Sequence, residues 1–348
     1  MEHMTFSDQL IKWYHLNRRD LPWRNTRDPY AIWLSEIILQ QTRVAQGLPY
    51  YEKFIQAFPT VQDLAKAPQE QVLKLWQGLG YYSRARNLQF AAQQIVDKGS
   101  FPNNYKELLT LKGVGPYTAA AIASFAYKEP VAVVDGNVYR VLARVYGVQE
   151  AINETIGIKK FQHLAQQQLN VEDPATHNQA IMEFGALQCT PASPNCGSCP
   201  LSGDCAAFQT GKVQELPVKI KKTKVKNVHL HYLVVVTPQG NTMLHQRPET
   251  GIWAGLYEFP YIEGEGPLLA TELREHAAKV LKVEGSRFRE SVYNQQPIIH
   301  KLSHRKIHAY FWIIETDDEL PEAMPVHQAR TKPVPVLMER FLEIYFQN

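Results

Sequence analysis

All four cysteines of this 348-residue chain fall within residues 189–205, in the pattern C-x6-C-x2-C-x5-C. A cluster this tight commits the loop PASPN-C-GS to wrapping one compact centre. The chain opens MEHMTFSDQL, without the charged start, apolar middle and small-residue cleavage site of a secretory signal, and no apolar stretch is long enough to span a bilayer. An intracellular setting is therefore expected, and there a thiolate-bound metal accounts for the cluster better than two local disulfides. Zinc sites favour two C-x2-C knuckles and only one is present, while iron–sulfur spacings vary more widely. The spacing alone leaves both metals open.

The rest of the pattern divides the chain in two. Residues 5–209 read as helix after helix, with Asp28 as a cap and Pro29 at the first helical position of DPYAIWLSEIILQQT. Further helical patterns run through 46–57, 69–76, 82–97, 104–111, 116–126, 137–146, 155–169 and 173–187. From Lys212 to Lys226 six lysines face one acid, Glu215, which reads as a solvated linker or a nucleic-acid contact. Beyond it the pattern turns β-rich: VHLHYLVVV at 228–236 and KIHAYFWIIET at 306–316 are strand-like, and 270–281 is helical. The expectation is an all-α region followed by an α+β domain.

Three features carry chemistry. In LKGVGPYT, Gly113 can end a helix in the left-handed conformation and Gly115 lets another molecule approach the backbone. Amides at the start of the next helix favour an anion such as a DNA phosphate. A plain helix-to-helix turn is the competing account. Glu36 interrupts the apolar stretch AIWLSEIILQ, where a buried carboxyl would stay protonated and act as an acid; a polar helix face is the alternative. Asp135 stands where VAVV gives way to a helix, so capping amides would hold it charged. One protonated and one charged carboxyl is the division of labour used to break glycosidic bonds.

Together these segments resemble the helix-hairpin-helix DNA glycosylases that carry an iron–sulfur cluster. LKGVGPYT resembles their hairpin, VVDGNVYRVLAR the segment with the essential aspartate, and the cysteine pattern their cluster loop. LPWR (21–24), LSEIILQQTRV (34–44) and GLGYYSRARNL (78–88) narrow the likeness to adenine DNA glycosylases of the MutY type. The resemblance implies a multidomain fold. Residues 1–210 would be an all-α helix-hairpin-helix core, in which 20–125 form a six-helix module and 1–19 join 126–210 around the cluster. Residues 211–227 would be a lysine-rich linker and 228–348 an α+β Nudix-like domain. It also implies one four-iron, four-sulfur cluster on Cys189, Cys196, Cys199 and Cys205, and no nucleotide cofactor.

By the same resemblance the substrate is double-stranded DNA with adenine mispaired to 8-oxoguanine, bound by a monomer, with no membrane partner. Glu36 would protonate the flipped adenine at N7 and Asp135 would stabilise the oxocarbenium-like sugar, with Tyr117 and Asn137 supporting them. Trp23, Arg24 and Glu183 would line the adenine pocket. Gln41 and Tyr81 would fill the gap beside 8-oxoguanine, with Thr42 and Leu79 alongside. Gly113, Val114 and Gly115 would hold a phosphate. Ser303 and His304 match the lesion-recognition loop, HKLSHRKIHAYFW, although the family often has Phe where this chain has Leu302. Arg274 and Glu275 remain from the Nudix pattern but the following pair of glutamates is missing, which argues against nucleotide hydrolysis. Strand-cleaving endonuclease III-type relatives carry a Schiff-base lysine just after the hairpin, where this chain has Pro116-Tyr117. That substitution points to base removal without strand cleavage. A DNA-damage-binding protein without catalysis is the remaining alternative.

Overall fold

The computed structural model describes residues 4–220, 225–281, 288–318 and 320–346. Two compact units emerge: Met1–Lys66 with Asn87–Lys221, and Ala67–Arg86 with Lys222–Asn348. Part of the lysine-rich stretch, residues 221–224, lies outside the described residues.

The first unit is helical. Its helix Pro29–Leu39 begins as the sequence predicts: Asp28 accepts a hydrogen bond from the Tyr30 amide at 3.1 Å, and Pro29 occupies the first turn, where no amide is needed. Residues Tyr30 through Ile38 are all buried, so this helix has no solvent face and Glu36 is carried into the interior. Helices Pro116–Tyr127, Gly136–Tyr146 and Pro174–Leu187 pack around it or one another. Leu10, Val138, Leu142, Phe161, Ile181 and Phe184 are buried in one cluster that these helices share with Phe6–Asn17.

The hairpin follows from glycine. Helix Tyr105–Leu108 gives way to Gly113 at φ +79°, where a Cβ would stand 2.8 Å from the Cβ of Asn87. Both the backbone angle and the close approach exclude a side chain there. Gly115 then starts helix Pro116–Tyr127 with no side-chain cap, and nothing lies within 4 Å of its missing Cβ. Val114 between them is buried, so the turn is pinned from beneath while both glycines face solvent.

The second unit is built on a five-stranded mixed sheet. Strand Lys226–Val236 pairs in parallel with Arg305–Thr316, with Lys226 opposite Arg305 and Val236 opposite Glu315. Tyr261–Gly264 flanks the first antiparallel, while Phe288–Val292 and Ile298–Lys301 flank the second. Both central strands are buried without a break through 230–235 and 309–314, as their apolar runs require of a sheet covered on two faces. Helix Ala270–Leu281 packs over one face through Leu273, Ala277 and Leu281. Strands Phe288–Val292 and Ile298–Lys301 and helix Val336–Tyr345 were not marked in the sequence. Short, largely exposed edge strands leave little pattern to read.

Candidate active site

Glu36 is 6% exposed, and its Oε2 accepts a 2.6 Å hydrogen bond from the Tyr117 hydroxyl. The sulfur of Met182 stands 3.9 Å from the same hydroxyl. Burial pushes the Glu36 carboxyl up to about 7, helped by the negative charge of Asp135 and opposed by the Tyr117 hydrogen bond and the Arg24 guanidinium. Burial likewise drives the Tyr117 phenol well above its ordinary value, so it stays a hydrogen-bond donor.

Asp135 caps helix Gly136–Tyr146. Its Oδ1 accepts from the amides of Asn137 and Val138, both at 2.8 Å, and its Oδ2 accepts from Asn137 Nδ2 at 2.8 Å. Burial nevertheless raises this carboxyl above its ordinary value, against those donors and the nearby Arg140. Reading the caps alone omits that cost, because how deeply the helix start is buried depends on distant segments. Helix Pro174–Leu187 supplies part of the cover: a Cβ on Gly185 would meet the Cβ of Asn137 at 2.6 Å and its carbonyl oxygen at 3.0 Å.

Glu183 is 1% exposed and fully engaged. Arg24 reaches its two oxygens at 2.9 and 2.7 Å, and Arg19 does so at 2.9 and 2.6 Å while its amide adds a further bond at 2.9 Å. These donors outweigh burial and hold the carboxyl down at about 2, so Glu183 remains charged and fixes Arg24 in place. Trp23 is buried edge-on against Tyr51, with ring centres 5.0 Å apart.

The four cysteines are half-buried and line a single cavity of about 20 Å³. Among the described residues no group of three or more His, Cys, Asp or Glu is arranged to hold a metal ion. Two buried arginines tie this loop to the helix that Asp135 caps. Arg140 donates to the carbonyls of Cys189 at 2.7 Å and Gly185 at 2.6 Å, and to Asn137 Oδ1 at 2.7 Å. Arg144 donates to Thr190 O at 2.8 Å, to Pro191 O at 3.0 Å and to Cys189 Sγ at 3.4 Å.

The second unit has a pocket of about 650 Å³ formed by segments 78–83, 251–253 and 300–305 with Arg86 and Val336. Here the sequence candidates Tyr81 and Ser303 meet, their hydroxyls 2.8 Å apart. Tyr81 is 53% exposed at φ +48°, whereas Leu79 is buried at the pocket wall. Ser303 and His304 are exposed in the turn that joins strands Ile298–Lys301 and Arg305–Thr316, and Leu302 closes it through its amide to Arg305 O at 2.8 Å. Gln41 and Thr42 belong to the first unit, in the turn after the Glu36 helix, and Gln41 has φ +58°. Both Gln41 and Tyr81 thus hold left-handed backbone, which a side chain disfavours. Arg274 pairs with Glu290 at 2.6 Å, and Glu275 is exposed.

Arg19, Arg140, Arg144 and Gly185 were missed in the sequence. Arg140 and Arg144 stand four apart on the helix after Asp135, a spacing that places both on one face and could have flagged them.

A family model described as HhH-GPD superfamily base excision DNA repair protein matches residues 34–167, and a NUDIX domain model matches 231–344. An adenine DNA glycosylase of Buchnera aphidicola subsp. Baizongia pistaciae is 34% identical, covering 90% of this chain and 87% of its own length. One of Arabidopsis thaliana is 39% identical over 73% of this chain, which spans 46% of that relative. The solved structure of a thermostable thymine-DNA glycosylase matches with TM-score 0.55 and 32% identity, covering 59% of this chain and 95% of that one.

A raised carboxyl has a consequence for stability. Folding favours protonated Glu36, so its contribution is fully present below about 4.5 and lost as pH rises through about 7. Glu36→Gln removes that loss. Its stability relative to the parent should rise by about 2–3 kcal/mol between about pH 5 and about pH 8.5 in urea unfolding. A difference that does not vary with pH contradicts the shift.

Proposed function

We propose that this chain, which belongs to the adenine DNA glycosylase family, removes adenine paired with 8-oxoguanine by hydrolysis of the glycosidic bond and leaves the strand whole. The observation that carries the reading is the pairing of two buried carboxyls in different settings. Glu36 sits near 7 with a tyrosine hydroxyl on it, and Asp135 is wrapped by three donors. A base flipped out of the duplex would meet Glu36 as proton donor, which turns adenine into a better leaving group. Asp135, once ionised, would stabilise the positive charge that develops on the sugar. Asn137 and Tyr117 hold these two groups, and Arg24, fixed by Glu183, would border the adenine beside Trp23.

The exposed glycines of the hairpin and the uncapped helix start at Gly115 support phosphate binding there by Gly113, Val114 and Gly115. Leu79, Tyr81, Ser303 and His304 would serve recognition of 8-oxoguanine, and Gln41 and Thr42 would fill the gap in the duplex. Thiolates of Cys189, Cys196, Cys199 and Cys205 would hold a four-iron, four-sulfur cluster, for which four cysteines close in sequence are the donor set required, and it would fasten the 189–205 loop. Arg140 and Arg144 hold the loop's carbonyls whatever the charge of that centre. The protein would work as a monomer on duplex DNA inside the cell. No helix among the described residues is long and apolar enough to cross a membrane.

Two tests follow from the chemistry. Single-turnover base release should be fastest for adenine opposite 8-oxoguanine, slower opposite guanine and slowest opposite thymine, and borohydride should trap no enzyme–DNA product. Equal rates on all three duplexes contradict the lesion reading, and robust trapping contradicts hydrolysis alone. The rate should also fall as pH rises through about 7, where Glu36 loses its proton. Tyr117→Phe deletes the hydrogen bond that stabilises the anion, so the fall should move to higher pH. A fall that stays in place would remove Tyr117 from control of Glu36.

A further inference from the structure

The loop 247–256 lines the pocket where Tyr81 meets Ser303 through Gly251, Ile252 and Trp253, and it is held in a costly shape. Trp253 has φ +57°, a left-handed angle that a bulky side chain disfavours. Both neighbouring carbonyls are captured by arginines. Arg247 Nε donates to Ile252 O at 2.9 Å, and Arg86 donates to Ala254 O at 2.6 Å. Arg247 also closes the loop through its backbone, its amide donating to Leu256 O at 2.8 Å and its carbonyl accepting from the Gly255 amide at 3.3 Å. The same guanidinium is anchored by an ion pair with Glu258, itself 3% exposed. The two arginines thus hold the backbone on both sides of Trp253.

What this bracing presents is the Trp253 ring. It is 9% exposed, lines the pocket, and stands 5.6 Å from the His300 ring. His300 lies in the strand Ile298–Lys301 that leads into the Leu302-Ser303-His304 turn.

We propose that Trp253, braced by Arg247–Glu258 and Arg86, is a positioning residue that sets the Ser303 turn against Tyr81 and thereby determines selectivity for 8-oxoguanine. This rests on the reading of that pocket as the lesion site. Ser303 and Tyr81 are both exposed and on separate segments, so their 2.8 Å approach depends on what fixes the turn. The Trp253–His300 contact is a fixed point immediately before that turn.

The test is the ratio of dissociation constants for duplexes carrying a non-hydrolysable adenosine analogue opposite guanine or opposite 8-oxoguanine, measured with the full, metal-loaded chain. The parent should bind the 8-oxoguanine duplex more tightly. Trp253→Ala should shrink that preference at least tenfold, Trp253→Phe should retain most of it, and Arg247→Lys, able to pair with Glu258 but not to reach Ile252 as well, should fall between. General loosening of the fold would weaken both duplexes alike and leave the ratio unchanged. An unchanged ratio in folded Trp253→Ala, in a parent that does discriminate, overturns the role of Trp253 alone. A parent with no preference overturns the lesion-site reading, and this inference with it.

Discussion

Burying one carboxyl in a helix with no solvent face is the constraint on which the catalytic region turns. Every residue from Tyr30 to Ile38 is buried, so Glu36 has little contact with water and takes its properties from its neighbours. An ionised carboxylate left alone there would cost several kcal/mol, and the group answers by holding its proton to about 7. The Tyr117 hydroxyl pulls the other way by favouring the anion, which keeps the proton within reach of release near neutral pH. Asp135 faces a similar burial and is likewise pushed up, but it meets three donors instead of one. The two acids thus differ in the donors around them, one hydroxyl on Glu36 against three N–H groups on Asp135.

Arginine organises the surroundings. Arg19 and Arg24 converge on Glu183 and make it a charged strut. Arg140 and Arg144, one turn apart, spend their donors on carbonyls of the cysteine loop and of the helix that ends before it. A planar guanidinium presents its donors in a fixed fork, so each arginine holds its acceptors in a set geometry, which the single rotating ammonium of a lysine does not. The path from Cys189 through Arg140 to Asn137 and Asp135 is continuous in hydrogen bonds.

Local signals were legible and long-range ones were not. Asp28 with Pro29, the Gly113 turn and the Asp135 cap each depend on a few neighbouring residues, so the sequence alone locates them. The helix Pro29–Leu39 gave no sign of which way Glu36 points, because a helix apolar on all sides has no preferred face. Arg19 and Glu183 are 164 residues apart, and nothing local pairs them. Tyr81 and Ser303, separated by 222 residues, came to notice only through the family resemblance, and their contact is a property of the fold. The α+β character of the C-terminal region was readable from its two buried strands, while its short edge strands carried too little pattern.

The most direct measurement is the titration of Glu36 itself in the folded, full-length protein, read from the carboxyl signal of ¹³C-labelled glutamate and assigned by its loss in Glu36→Gln. A midpoint near 7 that moves upward in Tyr117→Phe is the expected result. A midpoint in the ordinary range around 4 to 5 would contradict the account, because Glu36 would then reach neutral pH without a proton to give.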